Sequence, residues 1–200
     1  MSAGIDTLQF RLILSAIDRG LDRSCKLVVP RRVDEPMTHV MLRVLAYCLF
    51  CQDGPGEGLR LAPGPADRDG PDLWTHDLIG EATEWIICGA PAIEDLRYVM
   101  QHQRQAKIRI LLGSDHERDH FLSSLHSFRR TLPGLTAIDL RQVDTGFLEA
   151  LGAEVLERQR WLVTVIDHHI YVDLGARALD GEIVSVPLPS LEEMREAARP

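Results

Sequence analysis

The sequence predicts an α/β (α+β) domain, a mixed central sheet flanked by helices, and three observations carry that prediction. Residues 7–17 alternate strictly, with Leu8, Phe10, Leu12, Leu14 and Ala16 on one side and Gln9, Arg11, Ile13 and Ser15 on the other, which is the period of a half-buried strand. KIRILLG, residues 107–113, is short and almost continuously apolar, as strands in the middle of a sheet are. From residue 72 onward strand-like and helix-like runs alternate with no internal repeat or break in composition, so residues 1–200 are read as one domain.

The first strand is followed by the turn residues Asp18-Arg19-Gly20 and by a second strand through Cys25, Leu27 and Val29 that ends at Pro30, an N-terminal β-hairpin. Asp34 is placed to cap the next helix, Glu35 to sit in its first turn and Pro36 to open it. Val40, Met41, Val44, Leu45, Cys48 and Leu49 then mark one helical face. The Gly-, Pro- and Asp-rich stretch from residue 52 to 70 reads as a long surface loop or lid. Strands follow at 72–77 and 82–88, with Trp74 and Trp85 covering the core, and a helix at 92–105. After KIRILLG come a helix at 117–131, a strand at 135–140 and a helix at 146–158. The strands WLVTVID, HIYVDLG and EIVSVPL close the domain, with a short tail helix from Pro189-Ser190.

Composition narrows the function classes. With 45% apolar and 26% charged residues the chain is that of a folded globular protein. A formal charge of -8 sets the mean field against a polyanion. Nucleic acid is therefore a partner only where a local basic face overrides the mean, and the pairs Arg31-Arg32 and Arg129-Arg130 are too small for such a footprint. No apolar run approaches the roughly 18–20 residues of a membrane span, and the N-terminus lacks the basic and apolar regions of a signal peptide. The chain reads as cytoplasmic, with Cys25, Cys48, Cys51 and Cys88 as reduced structural thiols.

Three stretches, MLRVLAYCLF, GPDLWTHDLIGEATEWIICGAP and WLVTVIDHHIYVDLG, resemble the YaeQ family of small bacterial proteins, and the likeness runs in order along essentially the whole chain. The resemblance implies an embellished PD-(D/E)xK, restriction-endonuclease-like core. In such a core two carboxylates at the ends of adjacent strands hold Mg²⁺ and a nearby lysine orients the attacking water. Asp72 matches the aspartate of the Pro-Asp step. Ile87 stands where the family strand carries its glutamate, and Arg97 lies where the lysine is expected; an arginine clamps phosphate but is a poor proton acceptor. The chain's only lysines are Lys26, on the N-terminal hairpin, and Lys107, at the start of a later strand.

The candidate catalytic pair is therefore Asp72 with Glu84, the candidate metal ligands Asp72 with Glu81, and Arg97 a phosphate or partner contact. Each has a structural alternative. Asp72 can be a turn residue satisfied by backbone amides. Glu84 points to the opposite face from position 87 and reads as a solvated strand charge. Glu81 and Asp77 read as surface charges, and Glu35 as a helix-start residue or an auxiliary acid. The reading that follows is a nuclease-type scaffold with a degenerate metal site and a binding or regulatory role. Its competitor is a Mg-dependent nuclease acting on phosphodiesters; outside that competitor no cofactor is implied.

Two further motifs need weighing. His116-Glu117-Arg118-Asp119-His120 matches H-E-x-x-H, in which two histidines on one helical face hold zinc and the glutamate activates water. Its charged interior and the missing third ligand make a zinc hydrolase through His116, Glu117 and His120 the outsider. Cys48 and Cys51 form a C-x-x-C at the end of a predicted helix, where the helix field opposes a thiolate, so core packing is expected. His168-His169 reads as a hairpin turn.

Overall fold

The computed structural model describes residues 5–51, 58–62, 70–128, 132 and 135–189. Most of the predicted 52–70 loop, Arg129-Arg130 and the tail helix lie outside the described residues. Among the described residues ten strands and four α-helices follow in chain order. They are β1 (Ile5–Ala16), β2 (Leu21–Arg32), α1 (Met37–Phe50), β3 (Arg60–Leu61), β4 (Leu73–His76), β5 (Ala82–Cys88) and α2 (Ile93–His102), then β6 (Lys107–Leu112), α3 (Asp115–Ser127), β7 (Asp139–Val143), α4 (Thr145–Ala153), β8 (Arg158–Ile166), β9 (His169–Asp173) and β10 (Ala178–Ser185).

All ten strands join one mixed sheet in the order β2-β1-β8-β9-β10-β7-β6-β5-β4-β3. The hairpin pairs β1 with β2 antiparallel from Ile5 opposite Arg32 to Ala16 opposite Leu21, and Gly20 closes it in the left-handed region at φ 60°. β1 then runs parallel to β8, so the N-terminal hairpin is held by a strand more than 140 residues away in sequence. β5, β6 and β7 are mutually parallel, and their crossovers are α2 and α3, as parallel neighbours require.

The two sheet faces carry separate apolar clusters. One joins α1 and Phe147, Leu148 and Leu151 of α4 to Phe10, Leu12, Leu14, Trp161, Val163, Ile170 and Val172. The other packs α2 and α3 over Trp85, Ile108, Ile110, Leu112 and Leu140. β6 feeds both clusters, through Leu111 on one face and Ile110 on the other, which is why KIRILLG shows no alternation. The second face of β2, β1, β8, β9 and β10 carries no helix among the described residues.

Several boundaries differ from expectation. Asp34 does not cap α1: Pro36 occupies that position, its carbonyl accepting from the amides of His39 and Val40, while Asp34 lies 3.4 Å from Arg32. α1 is buried at every position from Val40 to Phe50 rather than along one face. Ser114 caps α3 two residues early because its hydroxyl accepts from the Glu117 amide. Leu135–Ala137 forms a 3-10 turn, so the strand predicted at 135–140 starts at Asp139, and the helix predicted at 146–158 ends at Ala153, with β8 starting at Arg158. Among the described residues no helix is long and apolar enough to cross a membrane.

Candidate functional site

α1 lies buried against the sheet and holds one charged residue inside it, Arg43, fully shielded from solvent. A helix apolar on all sides is a core helix, so that guanidinium must find partners. It donates through NH1 to the Pro30 carbonyl at 2.9 Å and to Glu35 at 3.2 Å, and through NH2 to the Ala62 carbonyl. Its Nε stands 3.8 Å from Asp72 Oδ1.

Asp72 precedes β4 and is held there by its backbone. Its amide donates to the Ile86 carbonyl at 2.9 Å, its carbonyl accepts from Ala62 at 2.8 Å, and its Oδ2 accepts from the Cys88 amide at 2.8 Å. Glu35, 2% exposed, lies in the turn between β2 and α1, where its carboxylate accepts from the Arg32 amide at 3.3 Å and meets His39 Nδ1 at 2.8 Å. The other ring nitrogen of His39 faces the Cys88 carbonyl at 3.1 Å and Asp72 Oδ1 at 4.0 Å.

That geometry sets the protonation. A carboxylate and a carbonyl both accept, so His39 satisfies both only by carrying two N–H groups, as an imidazolium. Burial pulls its pKa down, but the Glu35 hydrogen bond and the nearby Asp72 charge outweigh burial, and the net shift is upward. Burial pushes Glu35 up, and its bond to His39 followed by the Arg43 charge reverses this, leaving it lowered. Two anions, Glu35 and Asp72, therefore face two cations, His39 and Arg43. Cys88 on the adjoining strand end has its thiol pKa raised, first by burial and then by the Asp72 charge.

A hard divalent ion such as Mg²⁺ needs near-octahedral oxygen ligation at roughly 2.0–2.1 Å. Here a guanidinium bridges the two carboxylates and its charge opposes a second cation. The donor set as it stands does not fit Mg²⁺. Among the described residues no group of three or more His, Cys, Asp and Glu side chains is placed to hold a metal.

Of the sequence candidates, Asp72 and Glu35, the latter weighed as an auxiliary acid, belong to this cluster. Glu84 shares its sheet face but lies four residues along β5 from Cys88, roughly 13 Å at the rise of a strand. Glu84 is bound there by Arg109 Nε at 2.7 Å, while Arg109 also pairs with Asp139 and stacks over Phe50 at 4.6 Å. Glu81 is exposed in the β4–β5 turn, further along in the same direction, its amide bonded to Asp77 Oδ1. The structure thus does not bring Asp72 together with Glu84 or Glu81. Ile87 packs against the cluster beneath α2 and α3, so the strand position facing Asp72 is Cys88, not 87. Arg97 sits on α2, which packs on the opposite face from α1.

The H-E-x-x-H residues are also apart in role. His116 and His120 are exposed on one face of α3 with ring centroids 6.4 Å apart. Glu117 turns inward, and its carboxylate accepts from the Gly113 amide at 2.8 Å, a variant of the capping box. Cys48 is buried with its thiol pKa raised by that burial. The carbonyls of Cys48 and Cys51 are capped by Arg19 from the β1–β2 turn.

Arg43 and His39 went unrecognised in the sequence, although MLRVLAYCLF contains one charge in a run otherwise fit only for burial. Over His39 opens a cleft of about 510 Å³, lined by Arg32, Glu35, Leu42, Ser114, Glu117 and Thr145 among others. It lies past the carboxyl ends of β5 and β6, the usual place for ligands on parallel strands.

Crystal structures of YaeQ proteins share this fold. The YaeQ protein from Xanthomonas axonopodis pv. citri superposes with a TM-score of 0.76 at 20% identity, over 93% of this chain and 100% of that one. The YaeQ protein from Pseudomonas syringae superposes with a TM-score of 0.74 at 22% identity, over 92% and 96%. No curated protein matches the chain. The sequence model for YaeQ protein matches residues 1–183, from the N-terminal hairpin into β10, and on that match the chain belongs to the YaeQ protein family.

Proposed function

We propose that this chain has a binding or regulatory role, built on a restriction-endonuclease-like scaffold in which an internal cation replaces the divalent ion. The observation that supports it is the position of Arg43, 3.2 Å from Glu35 and 3.8 Å from Asp72 with no solvent exposure. With His39 cationic as well, the cluster is neutral and has no charge left for Mg²⁺ to balance. The imidazolium has no lone pair with which to take a proton from water. The cleft over His39 then serves to bind a ligand, with the charged cluster as its rigid floor.

A magnesium-dependent nuclease is the second reading. One observation favours it: Asp72 and Glu35 both turn toward His39 beside the cleft. It requires Arg43 to withdraw, and Glu35 in place of Glu84 or Glu81 as the second acid. Titration with Mg²⁺ and Mn²⁺, followed by the fluorescence of Trp74 and Trp85 on the neighbouring strands, separates the two. The binding reading expects no saturable change across the millimolar range. A saturable change that disappears in Asp72→Asn, together with cleavage of DNA or RNA, would establish the nuclease instead.

A further inference from the structure

The face of the sheet left without helices carries a row of cations. Lys26 on β2 is directly opposite Arg11 on β1, and Arg11 is directly opposite Arg160 on β8. Arg158, opposite Gln9, is the diagonal neighbour of Arg11. All four are exposed, and all four line one groove of about 420 Å³ with Gln9 and Val28. No carboxylate lines that groove, and none of the four makes an ion pair or hydrogen bond among the described residues.

Residues opposite one another across a sheet have their Cβ atoms about 4.5–5.5 Å apart, and like charges so placed destabilise the sheet. In a protein of net charge -8, three cations abreast are a repulsion that one carboxylate, Asp173 on β9, diagonal to Arg160 and opposite Leu162, relieves at one end only, and that an anionic partner would remove. What adjoins the row identifies the partner. Val28, Ile13 and Leu162 lie on the same face at 55%, 37% and 42% exposure, with Ile13 opposite Leu162. Aliphatic side chains reward an apolar partner, whereas single-stranded nucleic acid is held by aromatic platforms; no exposed aromatic lines the groove, and Tyr171, exposed on the same face, stands on β9 opposite Thr164, beyond Leu162 from the four cations.

The geometry points to the open face of β2, β1 and β8 as a docking surface for an acidic polypeptide segment whose carboxylates pair with Lys26, Arg11, Arg158 and Arg160 while its aliphatic side chains cover Val28, Ile13 and Leu162. Arginine forks suit carboxylates, and an exposed sheet face presents the side chains of three strands in fixed register. The surface is independent of the Asp72 cluster, so its test and the metal titration fail separately.

The test uses fluorescence anisotropy of a labelled peptide of alternating glutamate and leucine, and of a labelled oligothymidylate of equal charge, at low and high salt. The peptide is expected to bind the full chain, to bind more weakly as salt rises, and to lose roughly tenfold in affinity to Arg11→Gln/Arg160→Gln. The same variants are read by thermal unfolding without ligand, where Arg11→Gln should raise Tm at low salt by relieving the repulsion. Absence of peptide binding, tighter binding of the oligothymidylate with the same dependence on the row, or a lowered Tm in Arg11→Gln each overturns the inference.

Discussion

Arg43 reaches Glu35 with a 3.2 Å contact in which neither side chain has any exposure to solvent. A lone ion of either sign at that depth would carry a desolvation penalty of several kcal/mol. The pair stands because NH1 and NH2 of Arg43 also donate to the Pro30 and Ala62 carbonyls, its Nε faces Asp72 Oδ1 at 3.8 Å, and the remaining acceptors of Glu35 go to His39 and the Arg32 amide. β2, α1, β3 and β4 thus converge on one guanidinium, which is a structural task before it is a chemical one.

Arg43→Met is accordingly expected to lower unfolding free energy by about 3–5 kcal/mol, since it strands Glu35 and Asp72 without their cation. Adding Glu35→Leu to Arg43→Met should recover part of the loss, because the two residues share one interaction and their effects are not additive. Urea denaturation of the single and double variants measures both. A cost for Arg43→Met below about 1 kcal/mol, the scale of a surface pair, would mean that the network does not hold these elements together.

Stability should also depend on pH in a way that names His39. Its pKa is raised on folding, so its contribution is complete below the unfolded value of about 6.5 and is lost as pH rises through the folded value. Glu35 is lowered on folding, so its contribution is present above its unfolded pKa and is lost as pH falls through the folded one. Maximum stability from this cluster therefore lies between the two, on the mildly acidic side of neutrality. Denaturant midpoints followed from mildly acidic to mildly alkaline pH should fall in the wild type and stay nearly flat in His39→Gln. Equal slopes in the two proteins would rule out an imidazolium at position 39.

Much of this architecture was legible in the sequence. Strict alternation from Leu8 to Ala16 predicts β1 because one face of it is core and the other solvent, and the 3.6-residue pattern around Leu96, Val99 and Met100 predicts α2 for the same reason. The charged cluster was not legible. Asp72 could be singled out through the Pro-Asp step, but its partners come from residues 35, 39 and 43, which only the packing of α1 against the sheet brings near. Ile87 stands out only through the family resemblance, and Glu84 only as an acid on the same strand. A sequence does not show that Cys88, one position further, is the residue facing Asp72, because where Asp72 joins the sheet depends on Ala62 and Ile86 pairing with its backbone.

The same contrast applies to the H-E-x-x-H string, whose Glu117 serves the start of α3. Because Glu117 accepts from the Gly113 amide while its own amide bonds Ser114, Glu117→Ala should cost about 0.5–2 kcal/mol of stability. Protein purified without a tag is expected to hold no stoichiometric zinc, since the two histidines are exposed and Glu117 is engaged away from them. Elemental analysis checks this, and one zinc per chain that vanishes in His116→Ala would restore the zinc hydrolase reading.

Gly181 on β10 provides the last prediction, and it concerns how α4 is seated. A Cβ built on this residue would lie 2.5 Å from Phe147 Cγ and 2.7 Å from Phe147 Cβ, closer than packed carbon atoms approach. The first turn of α4 therefore lies directly on the backbone of β10, with Asp144 capping the helix and its amide bonded to the Glu182 carbonyl. The helix cannot lift away without breaking that bond, and Phe147 is itself buried, so the clash must be taken up as strain. Gly181→Ala is expected to destabilise the protein by about 1–3 kcal/mol. The same change at Gly175, whose added Cβ would meet no atom within 4 Å, tests backbone strain alone, because Gly175 has φ 89°. In Phe147→Ala the cost of Gly181→Ala should shrink, since the ring that obstructs it is gone; an unchanged cost would show that the side chain of Phe147 is not what requires a glycine on the strand beneath it.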